Sequence, residues 1–303
     1  MIYIMIPILS SEIDVFFLER MKNLLARIKK RTDDFSFIFC IQYKAIEKKC
    51  ESNIKKIFTE NLVILNSETI GVSVARNKCL NYALSLAADN DCLYFLDSQI
   101  WVSSHFLEYM LVFAASKDDA MLGCFQFVDL TFLDFNNEPF KLNKKTTIQH
   151  ESIRNFKKNT LSDDVNFIKN CTMSRWLFKA NLLKNSSFNE TLGPGDKTTI
   201  KSAEDVYFLY ELSKNKKFNV VNVPYYVYRE SRPKDLSKHT LYAKGYGAVL
   251  AFLFKNEPRK YALTMFLYLV NTLRFFFINY KLASVRLSSL FIDLNEHVTD
   301  TSK

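Results

Sequence analysis

The stretch Cys92-Leu93-Tyr94-Phe95-Leu96-Asp97-Ser98-Gln99-Ile100-Trp101 decides how the chain is read. Five apolar residues run unbroken and stop at an acid. That is the pattern of a strand buried on both faces whose carboxyl end opens into a crevice. In open α/β sheets, ligands bind at that edge. Asp97 therefore stands either where a substrate or metal is held or in the polar turn that ends many buried strands. The stretch alone leaves both open.

The same kind of segment recurs upstream. Met1-Ile2-Tyr3-Ile4-Met5-Ile6-Pro7 reads as a first buried strand ending at Pro7. Val15, Phe16, Leu18, Met21, Leu24, Leu25 and Ile28 recur at helical spacing, which predicts a helix from about Ile13 to Lys30. A second strand is expected over Phe35–Ile41, a lysine-rich helix around Ile46–Phe58, and a third strand over Leu62–Leu65. Gly71-Val72-Ser73-Val74-Ala75-Arg76-Asn77 opens a helix reaching about Ala88, and the strand ending at Asp97 is the fourth. Strands alternating with helices predict an α/β fold with a mostly parallel sheet.

Downstream, a helix is expected over Ser104–Ser116 and a strand over Ala120–Val128. Asn136–Asp164 is polar, basic and without regular pattern, a loop that is either solvated or covers a substrate. A short strand falls within Asn170–Ala180. Glu204 and Asp205 open the next helix, where the dipole favours negative charge. Strands over Asn219–Val223 and Tyr225–Tyr228 follow. From Asp235 the chain turns aromatic, leucine-rich and basic, with helices near Leu236–Phe254, Arg259–Tyr280 and Val285–Leu294. We therefore divide it into residues 1–232 and a helical region, 233–303. Seventeen positions from Ala262 to Ile278 contain one full charge, Arg274, which argues against a membrane span. A helix lying in a membrane interface and a helix packed on the main domain both remain.

Composition sets the bounds. With 303 residues and 48% hydrophobic content, the chain can form one large α/β domain with an appendage or two modest domains. Six glycines and six prolines are too few for long flexible linkers. A formal charge of +9 suits nucleic acid, an anionic membrane or a phosphorylated substrate. No RNA-binding signature or compact basic stripe supports the first, so no nucleic-acid partner is expected. The six cysteines occur singly, which argues against structural zinc and suits a reducing cytosol. The N-terminal apolar run lacks a basic n-region, which again points to the cytoplasm.

Three separated features line up: Gly71…Ala75-Arg76-Asn77; Phe95-Leu96-Asp97-Ser98-Gln99; and Phe188-Asn189-Glu190…Leu192-Gly193-Pro194-Gly195 followed by Glu204-Asp205-Val206-Tyr207-Phe208. In this order they resemble the family 2 glycosyltransferases of the GT-A fold, especially those that build bacterial surface polysaccharides. The resemblance covers about Ile2 to Val227 and extends weakly through Tyr242–Ala248.

It implies an inverting glycosyltransferase that moves a sugar from a nucleotide-sugar donor to a lipid-linked or glycan acceptor at the cytoplasmic face of the inner membrane. It also implies a nucleotide site comprising Pro7, Arg76, Asn77, Asp97 and Gln99. Arg76 would contact the base or phosphates, its alternative being a surface ion pair. The family's Asp-x-Asp motif maps onto Asp97-Ser98-Gln99, with Asp97 as donor contact and metal ligand. Gln99 replaces the acid that usually holds the divalent ion (Mn or Mg), and this departure puts metal dependence in question. Where relatives place a histidine, this chain has Arg229. The resemblance thus leaves two readings of the cation: Arg229 or Lys244 as a fixed charge, or a metal held by Asp97 and the substrate diphosphate. Asp205 would take the acceptor's proton, and Glu204 would orient the acceptor. The Gly193-Pro194-Gly195 turn would let the acceptor approach the backbone. A rival reading is a degenerate relative that binds nucleotide sugars without transferring them.

Overall fold

The computed structural model describes residues 1–43, 48–102, 104–115, 120–130, 158–160, 172–215, 219–230 and 236–294. Its strands are β1 (Ile2–Leu9), β2 (Phe35–Gln42), β3 (Leu62–Ser67), β4 (Cys92–Phe95), β5 (Ile100–Val102), β6 (Ala120–Leu130), β7 (Lys158–Thr160), β8 (Trp176–Lys179) and β9 (Asn219–Glu230). The helices are α1 (Val15–Lys29), α2 (Lys48–Ile57), α3 (Val72–Leu86), α4 (Ser104–Ala115), α5 (Ala180–Leu183), α6 (Glu204–Asn215), α7 (Leu236–Asn256), α8 (Pro258–Ile278) and α9 (Tyr280–Ser289).

The strands form one sheet in the order β3-β2-β1-β4-β8-β6-β9-β5, with β7 also on β9. The first four are parallel, and β8 joins them antiparallel. Alternation along β1 and β2 builds two cores. Ile2, Ile4, Phe37 and Phe39 pack toward α1, α2 and α4. Tyr3, Met5, Ile38 and Cys40 pack toward α3, α6 and α7. The chain leaves β1 outward to β2 and β3, then returns to place β4 on β1's other side. That reversal opens a crevice at the carboxyl ends of β1 and β4.

Several boundaries differ from expectation. β1 continues past Pro7 to Leu9. Ile2 N donates toward β2, at Asp34 O, whereas Met1 and Met5 carbonyls accept from β4. Alternation therefore turns Pro7 toward the β4 side, where β4 has already ended at Phe95, so its missing N–H is not needed. The two strands expected on either side of Pro224 are one, β9; the register against β6 skips between Cys124 and Gln126, and this irregularity absorbs the proline. Lys158–Thr160 pairs with β9 inside the segment expected to be irregular; the rest of Asn136–Asp164 lies outside the described residues. β5 was not expected as a strand. It exists because the turn after Asp97 lets Ile100–Val102 pair antiparallel with β9.

The last helices also shift. Asn279 ends α8, its N–H donating to Phe275 O, and its side chain then caps α9 by accepting from Leu282 N at 3.1 Å. The third C-terminal helix accordingly runs from Tyr280 to Ser289 and not from Val285 to Leu294. Helix α7 places Ala248, Val249, Leu250 and Leu253 in the same core as α3 and α6. Its two glycines explain the close approach. A Cβ on Gly245 would meet Ser202 Oγ at 2.1 Å, and one on Gly247 would meet Ser289 Oγ at 1.8 Å. One glycine seats α7 on the loop before α6, the other on α9.

Lys179 shows how the interior handles a charge. It is 1% exposed, and its ammonium donates to the carbonyls of Asn90, Phe113 and Ala114. Two of these acceptors belong to the last turn of α4, where the helix dipole favours a cation. A buried charge is tolerated when hydrogen bonds replace its water.

Candidate active site

Arg76 is the centre of the site. It lies on α3, 2% exposed. A guanidinium so far from water must be paired, and it meets three acids from two distant segments. Nη2 donates to Asp97 Oδ1 at 3.1 Å. Nη1 donates to Glu204 Oε1 at 3.4 Å and, in a shorter contact, to Asp205 Oδ1. The guanidinium also stands 5.2 Å from the Phe188 ring centroid. Arg76 is thus neither a surface ion pair nor an open phosphate clamp. Nη1 and Nη2 are committed to carboxylates, and Nε is buried without a hydrogen-bond partner among the described residues.

The 3-10 turn Met173–Arg175 holds the two aspartates in register. Met173 N donates to Asp205 Oδ2 at 3.0 Å, and Ser174 Oγ accepts from Asp97 N at 3.1 Å. Ala203, just before the acidic pair, has φ +72°, a left-handed value that non-glycine residues adopt at a cost. Gly193 faces the same pair. It has φ +90°, and a Cβ there would meet Glu204 Cδ at 2.9 Å. The expected close approach at Gly195 is to the protein itself: a Cβ would lie 2.8 Å from Gly71 Cα and 2.9 Å from Ile70 O. This turn is bolted to the start of α3, since Val72 N donates to Pro194 O at 2.9 Å. Gln42, at the end of β2, accepts from Gly71 N at 2.6 Å and fixes the same corner.

These pieces line a cleft of about 850 Å³. Pro7, Arg76, Asp97, Gln99, Glu204 and Asp205 all border it. Asn77 does not. Its amide bonds Phe188 N, Phe188 O and Glu190 Oε1, which staples α3 to that segment. Lys244 is also outside the lining. Tyr242 and Tyr246 border the cleft instead; they are four apart on α7, so they share a face from which Lys244 is turned away. Arg229 is placed by backbone register alone, opposite Ile100. Sequence reasoning missed Gln42, Ala203, Ser174 and both tyrosines. Only the tyrosines carried a signal, their i, i+4 spacing.

Charge in the cleft is one-sided. Glu12, Asp97, Asp196, Glu204 and Asp205 face one described cation, Arg76. Burial, then the charge of Asp205, raises the Glu204 carboxyl to about 8, and Arg76 only partly offsets this. Burial likewise raises Asp205 above the usual carboxylate range, again opposed by Arg76. Burial lowers the Arg76 pKa, but Asp205, Asp97 and Glu204 outweigh it, so the guanidinium stays charged. The acids titrate as a set and not singly.

A pH prediction follows from Glu204. Its folded pKa of about 8 exceeds its ordinary 4.5. The stability it contributes is full below 4.5 and is lost as pH rises through about 8. Glu204→Gln is therefore expected to gain melting temperature relative to the parent protein as pH goes from 5 to 9, read by differential scanning fluorimetry. Parallel curves for the two proteins would refute the shift.

Among the described residues, no three His, Cys, Asp or Glu side chains converge on a point that could hold a metal. The donor set at the strand end is one carboxylate, Asp97, with the Gln99 amide near it in sequence. That set fits an ion held mostly by other oxygens, and does not fit a protein-only cage.

No family model matches this sequence, and no curated protein matches it. Solved structures do. S. aureus TarS superposes with TM-score 0.54 at 17% identity, over 86% of this chain and 41% of TarS. A TarS structure of residues 1–349 gives TM-score 0.56 at 15% identity, over 95% of this chain and 90% of that one. The mannosyltransferase PcManGT from Pyrobaculum calidifontis, in complex with GDP-Man and Mn²⁺, gives TM-score 0.57 at 12% identity, over 95% of this chain and 73% of that one. The chain has the GT-A fold. This chain spans less than half the length of the first of these TarS chains. The GT-A architecture puts the Asp97 edge and the acidic pair on one cleft, as the order of the three motifs implied.

Proposed function

We propose that this GT-A protein transfers a sugar from a nucleotide-sugar donor to an acceptor hydroxyl with inversion. One observation carries the reading: Asp97, at a strand's end, and Glu204-Asp205, at a helix's start, meet across a single guanidinium in a cleft large enough for a nucleotide sugar. The GDP-Man bound by PcManGT supports a donor of that class.

Inversion is an in-line displacement. The acceptor oxygen attacks one face of the anomeric carbon while the nucleoside diphosphate leaves from the other. A carboxylate within hydrogen-bond reach takes the hydroxyl proton as the bond forms. Asp205 is the base in this reading, and Glu204 orients the acceptor beside it. Arg76 holds both acids and Asp97 in place. A diphosphate entering so acidic a cleft needs positive charge. Asp97 and the diphosphate oxygens would hold Mn²⁺ or Mg²⁺, which neutralises the leaving group. Gln99 in place of an acid favours one competing reading, a binding protein without transfer, and donor turnover with candidate acceptors separates the two.

The acceptor is a lipid-linked or glycan hydroxyl of cell-surface polysaccharide synthesis, reached from the cytoplasmic side. The test is a thermal-shift panel of UDP, GDP, CMP and dTDP, each with and without Mn²⁺. One nucleotide is expected to stabilise the protein by roughly 2.7 kcal/mol at ~100 times its dissociation constant, and more tightly with the ion. Stabilisation by none of the four would remove the donor site and the reading with it.

A further inference from the structure

Helix α8 is built on two opposed faces. One is committed to protein. Tyr261, Tyr268 and Thr272 are buried, and Arg286 of α9 donates to Thr272 Oγ1 at 2.8 Å with its guanidinium 4.3 Å from the Tyr268 ring. On the opposite face, Leu263, Phe266, Leu267, Leu273 and Phe277 are exposed. Phe266 is 61% and Phe277 93% open. At 100° per residue these five fall on one stripe, centred about half a turn from the buried residues. Arg259 and Arg274 sit on that stripe as well, so cations mark both of its ends. From Arg259 to Phe277 it runs roughly 27 Å at ~1.5 Å per residue.

We infer that this stripe docks the protein on an anionic lipid surface, with α8 lying flat in the interface. The helix is long and apolar enough to cross a membrane, with mean hydropathy 1.5 over an 18-residue window. One face packed on α7 and α9, with arginines at both ends of the open face, favours a helix lying along the interface over one crossing it. Charge selects the occupant. The carboxylates of Glu257 and Asp293 are paired with Lys260 and Lys255 at 3.4 and 3.5 Å. Arg259, Arg274 and Lys281 are left without an acidic partner among the described residues. A second copy laid antiparallel on the stripe would set Arg259 against Arg274 and repel. Anionic headgroups would pair with both while the leucines and phenylalanines enter the acyl boundary.

The buried face of the docked helix packs on the cleft wall. Tyr246 borders the cleft, and its ring lies 5.6 Å from that of Tyr268 on α8. α7 and then α8 thus stand between the cleft and the lipid side. This selects the lipid-linked acceptor over the free glycan, a step that rests on the transferase reading; the docking does not.

The experiment is vesicle sedimentation of the full chain. Phosphatidylcholine vesicles with and without 30% phosphatidylglycerol are compared at low and high salt, and light scattering gives the mass of the free protein. Partition at least tenfold stronger onto the anionic vesicles, weakened by salt, is expected. The triple change Leu263→Ser, Phe266→Ser, Phe277→Ser should lose at least tenfold of that partition. The double change Arg259→Glu, Arg274→Glu should abolish the preference for anionic lipid. All these side chains are exposed, so melting temperature and nucleotide-induced shifts should stay at parent values, which separates this result from failure of the donor site. Equal partition by parent and triple variant would overturn the proposal. So would a parent dimer that the triple variant makes monomeric, since the stripe would then cover a second copy.

Discussion

Asp205→Asn is expected to reduce sugar transfer by ~100- to 10,000-fold while the protein still folds and binds nucleotide. The asparagine keeps an oxygen for the Met173 N–H, which now donates to Asp205 Oδ2 at 3.0 Å. Its amide nitrogen cannot accept from Arg76, but the guanidinium keeps Glu204 through Nη1 and Asp97 through Nη2, so the cleft should hold its shape. What the asparagine lacks is a proton acceptor of suitable basicity. The measurement is single-turnover transfer with a stabilising nucleotide's sugar donor, alongside the thermal shift with that nucleotide. Transfer within tenfold of the parent rate would take the base role from Asp205. Glu204, which borders the same cleft and meets Arg76 only at 3.4 Å, would then inherit it.

Arg76→Met should have the largest effect on stability. It removes the counter-ion of three carboxylates and leaves them facing one another in a site where Glu204 and Asp205 are largely out of solvent. Stranding buried charges in this way costs ~3–5 kcal/mol. In a chain of this size that is a fall of roughly 10 °C in melting temperature. The fall should shrink as pH is lowered toward 5, because Glu204 and Asp205, already raised by burial, take up protons and cease to repel. A loss that does not vary with pH would mean Arg76 contributes packing and not charge. Transfer should be lost at every pH, since Asp97 and Asp205 no longer share an anchor.

Much of the parallel half of the fold was legible because its strands are buried on both faces. Such strands are written as unbroken apolar runs, as over Ile2–Ile6 and Phe37–Ile41, and the helices between them carry a 3.6-residue pattern. β5 and β7 are three residues each, too short for any period to show. Pro224 separates two apolar runs in the sequence, and only the register shift against β6 joins them into one strand, β9. The C-terminal helices announced their apolar character but not which face was covered. That depended on Gly245 and Gly247 letting α7 sit against Ser202 and Ser289.

The site divides the same way. The order of Gly71–Asn77, Asp97-Ser98-Gln99 and Glu204-Asp205 was enough to name the acids and the arginine, because a charged residue ending a buried run or opening a helix is visible in one dimension. Which charges pair is a matter of three dimensions. Arg76 lies 21 residues from Asp97 and 129 from Asp205, and no local pattern reports a contact across such separations. Desolvation made the difference: inside the protein Arg76 had to find carboxylates, Asn77 had to spend its amide on Phe188, and α7 turned two tyrosines into the cleft while turning Lys244 away.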